Sequence, residues 1–253
     1  MKHKFSYFFK VIALASALPT VALAQSNSFD GFYAGVGAGY AWQDINSTVQ
    51  PVERGVPYSE NYGQSASQEL GFGQLFIGYG LSRDIVYFGT EVGFNLYQEG
   101  NNYNLKNLYN LAPPSPPHAN SMTNKISPKY GFQLSFLPGL YLTPDTLIYG
   151  RLGGAVTRYD TETKTDVNLP GFFATNNSDS NWVPELVVGA GLAQKMWENI
   201  SVRVDYTYTY SADFNGAANG YADTTNPSTN FIEKNEDIHI KSNNLAFSLV
   251  YSF

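Results

Sequence analysis

The sequence predicts an all-β fold: an eight-stranded antiparallel transmembrane β-barrel of up-and-down topology. Three observations carry this. An export signal opens the chain, period-two segments have one bulky and one small face, and long connections alternate with short ones along the mature sequence.

The export signal comes first. Lys2, Lys4 and Lys10 make a positive start, Val11 to Leu18 is a short apolar run, and Ala22-Leu23-Ala24 supplies the small-x-small cleavage pattern. Residues 1–24 are therefore expected to be a signal peptide cut before Gln25, and residues 25–253 to form one barrel domain. A membrane-anchoring helix is the competing reading. The apolar run is too short to span a bilayer, and Pro19 follows it.

Without those three lysines the mature chain carries 12 basic and 21 acidic residues, a net charge of −9 with His neutral. That balance argues against a nucleic-acid partner and against a polybasic membrane-surface binder. The absence of cysteine excludes a disulfide framework and a thiolate metal site. Aromatic content is high at 15% and charged content low at 14%, yet no apolar run after residue 24 is long enough for a transmembrane helix. Alternation between lipid and lumen gives this composition.

Strands are predicted at 32–42, 67–80, 86–97, 129–142, 147–159, 182–195, 200–211 and 241–253. Residues 43–66, 98–128, 160–181 and 212–240 read as four long polar external loops, and 81–85, 143–146 and 196–199 as three short periplasmic turns. A soluble sandwich has no reason to place every long connection at one end.

The faces follow from the period of two. Ile200, Val202, Val204, Tyr206, Tyr208 and Tyr210 alternate with Ser201, Arg203, Asp205, Thr207 and Thr209. Leu245, Phe247, Leu249, Tyr251 and Phe253 alternate with Ala246, Ser248, Val250 and Ser252. Val86, Phe88, Val92, Phe94 and Leu96 oppose Tyr87, Gly89, Glu91, Gly93 and Asn95, and 130–142 repeats the pattern from Tyr130 to Leu142. The phase of 67–80 can be argued either way. Small residues crowd the second face, among them Gly35, Gly37, Gly39, Gly153, Ala155, Gly189 and Gly191, as a narrow lumen requires. Tyr40, Trp42, Tyr208 and Tyr210 at one rim and Tyr251 with Phe253 at the other trace two aromatic girdles.

These segments resemble a known family. GFGQLFIGYGLSRDIVYFGTEVGFNLY, Gly71 to Tyr97, is similar to the second hairpin of the membrane domain of outer membrane protein A. Leu147 to Tyr159 resembles its fifth strand, Ile200 to Tyr208 its seventh, and FYAGVGAGYAW, Phe32 to Trp42, the opening strand of this and the opacity-type barrels. The resemblance covers the eight strands and not the loops. It implies an outer-membrane location, and makes Phe253 the terminal residue of a signal read by the barrel-assembly machinery. Many relatives carry a peptidoglycan-binding domain after the barrel. This chain ends at Phe253, so cell-wall tethering by that route is not expected.

Charged groups inside a membrane domain are costly unless paired. On the phasing above, Glu91, Arg151, Arg203 and Asp205 face the lumen near the periplasmic ends of their strands, and Glu185 joins from higher up. They are expected to form a hydrogen-bonded network that plugs the barrel. The resemblance supports this, because the family has such a network and Glu91, Arg151 and Arg203 match its positions. An electrostatic gate for a small pore is the functional reading. A permanently packed lumen is favoured, because eight strands leave room only for side chains.

Catalysis at the rim would need a His beside Ser or Asp. His3 leaves with the signal, His118 lies in the loop motif APPSPPH, and His239 ends another loop near Glu236 and Asp237. Neither loop His sits in a nucleophile motif, so no enzyme is expected. Asp160, Glu162 and Asp166, and Glu233, Glu236 and Asp237, lack calcium-loop spacing, and the glycines of Gly35–Gly39 precede no helix, so no metal or cofactor is expected. The expected partners are outer-membrane lipid and lipopolysaccharide, the assembly machinery, and host or cell-surface ligands reached through loops such as Asn101–Asn104 and Ala112–His118.

Overall fold

The computed structural model describes residues 29–53, 56–57, 62–99, 121–166, 172–174, 176–216, 219–223 and 231–253. Eight long strands form the wall: β1 (Gly31–Glu53), β2 (Tyr62–Arg83), β3 (Val86–Tyr97), β4 (Ser121–Thr143), β5 (Thr146–Asp166), β6 (Asn176–Lys195), β7 (Ile200–Ser211) and β8 (Phe231–Ser252). Each pairs antiparallel with its sequence neighbours, and β1 pairs with β8 from Tyr33↔Ser252 to Glu53↔Phe231, which closes the ring. Closure leaves no bare edge in the membrane, the condition a spanning sheet must meet. Three short strands at residues 56–57, 172–174 and 219–223 extend the outer rim of the sheet.

The connections at one end are tight. Asp84 and Ile85 join β2 to β3 beyond the Arg83↔Val86 pair, and Asp84 takes the left-handed conformation (φ 55°) that aspartate tolerates in such turns. Pro144 and Asp145 join β4 to β5, and residues 196–199 join β6 to β7. At the other end the structure corrects the loop boundaries. Most of 43–66 and parts of 98–128, 160–181 and 212–240 are strand rather than loop. Only β3 and β7 stop where the sequence predicts.

The physical reason lies in the faces. At membrane level the outside is apolar: Leu134 is 63% exposed and Phe247 60%, values that fit hydrocarbon and not water. Further out the pattern inverts. Ile45, Ile126, Tyr159, Val183, Ile238 and Ile240 point inward and form a closed cluster, with Phe214 packed against it. Asp44, Asn46 and His239 point away from it. Sparse apolar residues among many polar ones look like loop in a linear reading.

The ambiguous phase of β2 is resolved by packing. Phe72 and Phe76 face inward, where their rings lie over Gly39 and Gly35 of β1 so closely that a Cβ at either glycine would collide with them. Tyr33 lies over Gly78 and Tyr149 over Gly191 in the same way. The small face and the large inward rings are two halves of one packing rule, which fills most of the lumen.

Candidate functional site in the barrel lumen

Four charged side chains meet where β3, β5 and β7 face the axis. Arg151 Nη1 donates to Glu91 Oε1 at 2.7 Å, and Arg151 Nη2 to Asp205 Oδ1 at 3.1 Å. Arg203 Nη1 donates to Glu91 Oε2 at 2.8 Å, and Arg203 Nη2 to Asp205 Oδ2 at 3.3 Å. Each carboxylate therefore bridges both guanidinium groups, and the ring of four is neutral. All four side chains are buried.

Neighbours complete the ring. The Tyr149 hydroxyl donates to Asp205 Oδ1 at 2.7 Å and accepts from Arg203 Nε at 3.0 Å. Tyr33 donates to Glu91 at 3.3 Å, and Ser135 accepts from Arg151 at 3.3 Å. The Arg203 guanidinium sits between two rings, 4.6 Å from the Phe76 centroid and 5.2 Å from that of Tyr149. The even strands contribute glycines here. Gly78 pairs with Glu91 and Gly191 with Asp205, and these glycines seat the Tyr33 and Tyr149 rings that hydrogen-bond to the two carboxylates.

The structure does not bring Glu185 to this ring. It sits on β6 four residues beyond Gly189, buried, and accepts from Thr157 Oγ1 at 3.0 Å and from the Tyr159 hydroxyl at 2.8 Å. A cavity of about 30 Å³ lies between, with Gln74, Asn95 and Gln133 in its lining alongside Arg151 and Glu185. On the periplasmic side a second cavity of about 20 Å³ is lined by Phe29, Tyr87, Leu137, Tyr149 and Arg203. Each has space for one or two waters. Sequence alternation assigns Glu185 to the lumen but cannot give its height relative to side chains on other strands. The hydroxyls of Thr157 and Tyr159 share its inward parity, and are the signal that could have assigned it to a separate layer.

The rims carry the aromatic residues. Tyr40 and Trp42 pack at 5.0 Å, Tyr40 donates to Glu69 at 2.6 Å, and Tyr206 donates to Asn243 at 2.7 Å. Tyr210 is exposed beside Lys241, and Tyr208 is half-buried. Tyr251 packs on Phe253 at 5.2 Å, and the Phe253 amide donates to the Phe32 carbonyl. Sequence reasoning left out Tyr130 with Trp182, 5.4 Å apart, and Phe32 with Tyr79, 4.8 Å apart. Strand parity and position would have found them.

His239 lies within β8 rather than a loop, its ring beside Tyr210 and its Nδ1 3.8 Å from Asp213 Oδ1. His118 and the motifs at 101–104 and 112–118 fall outside the described residues. Asp160 and Glu162 stand on β5, not in a loop. Among the described residues no group of three or more His, Asp or Glu is arranged to hold a metal ion.

Comparison with known proteins places this geometry. The structure is similar to the outer membrane protease OmpT of Escherichia coli (TM-score 0.45, 11% identity, 91% of this chain and 99% of that one). It is also similar to Ail, the attachment invasion locus protein of Yersinia pestis (TM-score 0.36, 14% identity, 88% and 99%). In sequence the chain is 28% identical over 200 residues to outer membrane protein A of Salmonella typhi, 78% of this chain. It spans about half the length of that curated relative (47%). The family model of the OmpA-like transmembrane domain matches residues 27–235, so the chain belongs to that family and is a β-barrel of the bacterial outer membrane, in contact with its lipids.

Proposed function

We propose that this barrel is a closed, non-enzymatic outer-membrane scaffold that presents its external end for surface recognition. The observation that carries the reading is the buried ring of Glu91, Arg151, Arg203 and Asp205, which spans the lumen with every charge opposed. Opening a path would separate ions in a low-dielectric interior, which is costly. The wall continues beyond the aromatic rim as paired strands with a polar exterior, a rigid pedestal for the segments it displays. Under this reading the loops take adhesive or cell-surface ligands. Residues 1–24 are removed as a signal peptide, and Phe253 closes the stretch read by the assembly machinery.

A gated pore is the second reading, favoured by the cavities of about 20 and 30 Å³ on either side of the ring. One experiment separates the two. Residues 25–253 are refolded in detergent, checked for a heat-shifted gel band, and recorded in planar bilayers. A shifted band without conductance is expected. Stable discrete openings that change with Arg203→Ala would replace the closed scaffold with a pore gated by this ring.

A further inference from the structure

On the outer wall, beside and above the Tyr130–Trp182 pair, β4, β5 and β6 enclose a hollow of about 520 Å³. A bulge in β4 builds it. Below the bulge the even residues Tyr130, Phe132, Leu134 and Phe136 face outward. The register against β5 then slips between Pro128↔Tyr159 and Tyr130↔Arg158, leaving Lys129 as the extra residue. Above the slip Ile126 and Pro128 are buried inside, and Lys125 and Ser127 come opposite the outward Glu162 and Asp160. One inserted residue thus gathers Lys125, Lys129 and Arg158 at the level where the aromatic rings mark the headgroup interface.

The present partners of these cations hold them loosely. Lys129 Nζ is 3.3 Å from Glu99 and 3.7 Å from Asp160, and Arg158 Nε is 3.7 Å from Asp160, all part-exposed pairs of little net value. Arg158 also reaches the Tyr130 hydroxyl at 3.3 Å and Ser180 Oγ at 3.0 Å. Ser127 lines the hollow and is only 2% exposed, and its hydroxyl, like Asp160 Oδ1 of the same hollow, has no hydrogen-bond partner. A buried hydroxyl left unpaired is expensive, and an oxyanion in the hollow would satisfy it. The charge sum matters too. Glu99, Asp160, Glu162 and Asp179 line the same hollow, four carboxylates against three cations. A bare phosphate would meet net repulsion, whereas Mg²⁺ is held by one or two carboxylates together with phosphate oxygens.

We propose that this hollow binds the phosphorylated headgroup of an outer-leaflet glycolipid, with Lys129 and Arg158 on the phosphate, Ser127 donating to it, and a divalent cation bridging it to the carboxylates. The site rests on the outer-membrane assignment and names the lipid chemistry that location brings to the wall. Phosphate contacts from Lys and Arg are charge-assisted, and the geometry lets two side chains and a hydroxyl converge on one group.

The test uses the full chain refolded in detergent with Mg²⁺, its fold checked by a heat-shifted band. The probes are diphosphorylated lipid A, the same lipid dephosphorylated, and inorganic phosphate, each followed by native mass spectrometry. Wild type should retain the phosphorylated lipid about 10-fold better than the dephosphorylated one, and K129E/R158E or added EDTA should erase the difference. Equal retention of both lipids by wild type, or undiminished preference in K129E/R158E, overturns the proposal. Inorganic phosphate that binds as tightly as the lipid overturns the lipid assignment in favour of a simple oxyanion site. Should the double variant fail to fold, Ser127→Ala and the wild-type comparison of the two lipids decide the matter. A wild type that stays unfolded in detergent would count against the outer-membrane reading itself, before any lipid is added.

Discussion

The two halves of the barrel are built on opposite rules. In the membrane half the outside is apolar, with Leu134, Leu152, Phe247 and Leu249 on the wall, and the inside sets a ring of four charges among packed rings. In the outer half the inside is apolar, from Ile45 and Ile126 to Ile238 and Ile240, and the outward positions are polar. The same strands run through both. What changes is the solvent against the outer face, and the lumen changes with it. Lipid supplies no driving force to bury apolar groups inside, so charge and hydrogen bonds can share that interior with packed rings such as Tyr33, Phe76 and Tyr149. Water does supply it, so the outer half has a core like that of a soluble barrel.

This contrast can be tested by substitution, and the largest effect is expected at the charge ring. Arg203→Ala leaves Glu91 and Asp205 sharing one guanidinium in a buried site, and unfolding in urea should show a loss of about 3–5 kcal/mol. A wild-type midpoint would mean that water replaces the arginine freely and that the ring is not a packed plug.

The outer surfaces come next. Leu134→Arg, at a lipid-facing position, should cost about 2–4 kcal/mol in a bilayer or fail to insert. The outward Asn46→Lys in the outer half should stay within about 0.5 kcal/mol. Similar costs at the two positions would erase the boundary drawn between the halves.

Ile240→Ala should then cost about 2–4 kcal/mol through the cavity it leaves in the outer core. The loss should also appear as faster amide exchange in β1 and β8 beyond the aromatic rim, with the charge ring still protected. Uniform exchange across the barrel would make it one cooperative unit instead. The smallest effect is expected for Glu185→Gln. The amide oxygen keeps an acceptor for one hydroxyl while its NH2 donates to the other, which must turn to accept, and no cation loses a partner in the ring of four, so a change under about 1 kcal/mol should be found by the same unfolding titration.

Period-two alternation is a local property, and most of the strands carry it in the sequence. It assigns β3 and β7 their ends, and it puts Glu91, Arg151, Arg203 and Asp205 on the inner face. Parity follows from chain geometry alone, because successive side chains in a strand point to opposite sides. Height is another matter. Which groups meet is set across the lumen, where Glu91 lies 60 residues from Arg151 and 112 from Arg203 in the chain. Only closure of the ring separates Glu185 from the four charges and gives it Thr157 and Tyr159 instead. Only the packing of Phe72 and Phe76 over Gly39 and Gly35 fixes the phase of β2, since both of its faces carry apolar residues. The outward extension of every strand but β3 and β7 was likewise beyond a linear reading. Its inward apolar residues come one or two per strand, too few to make a pattern along the chain, and become a core only when five strands bring them to the same axis.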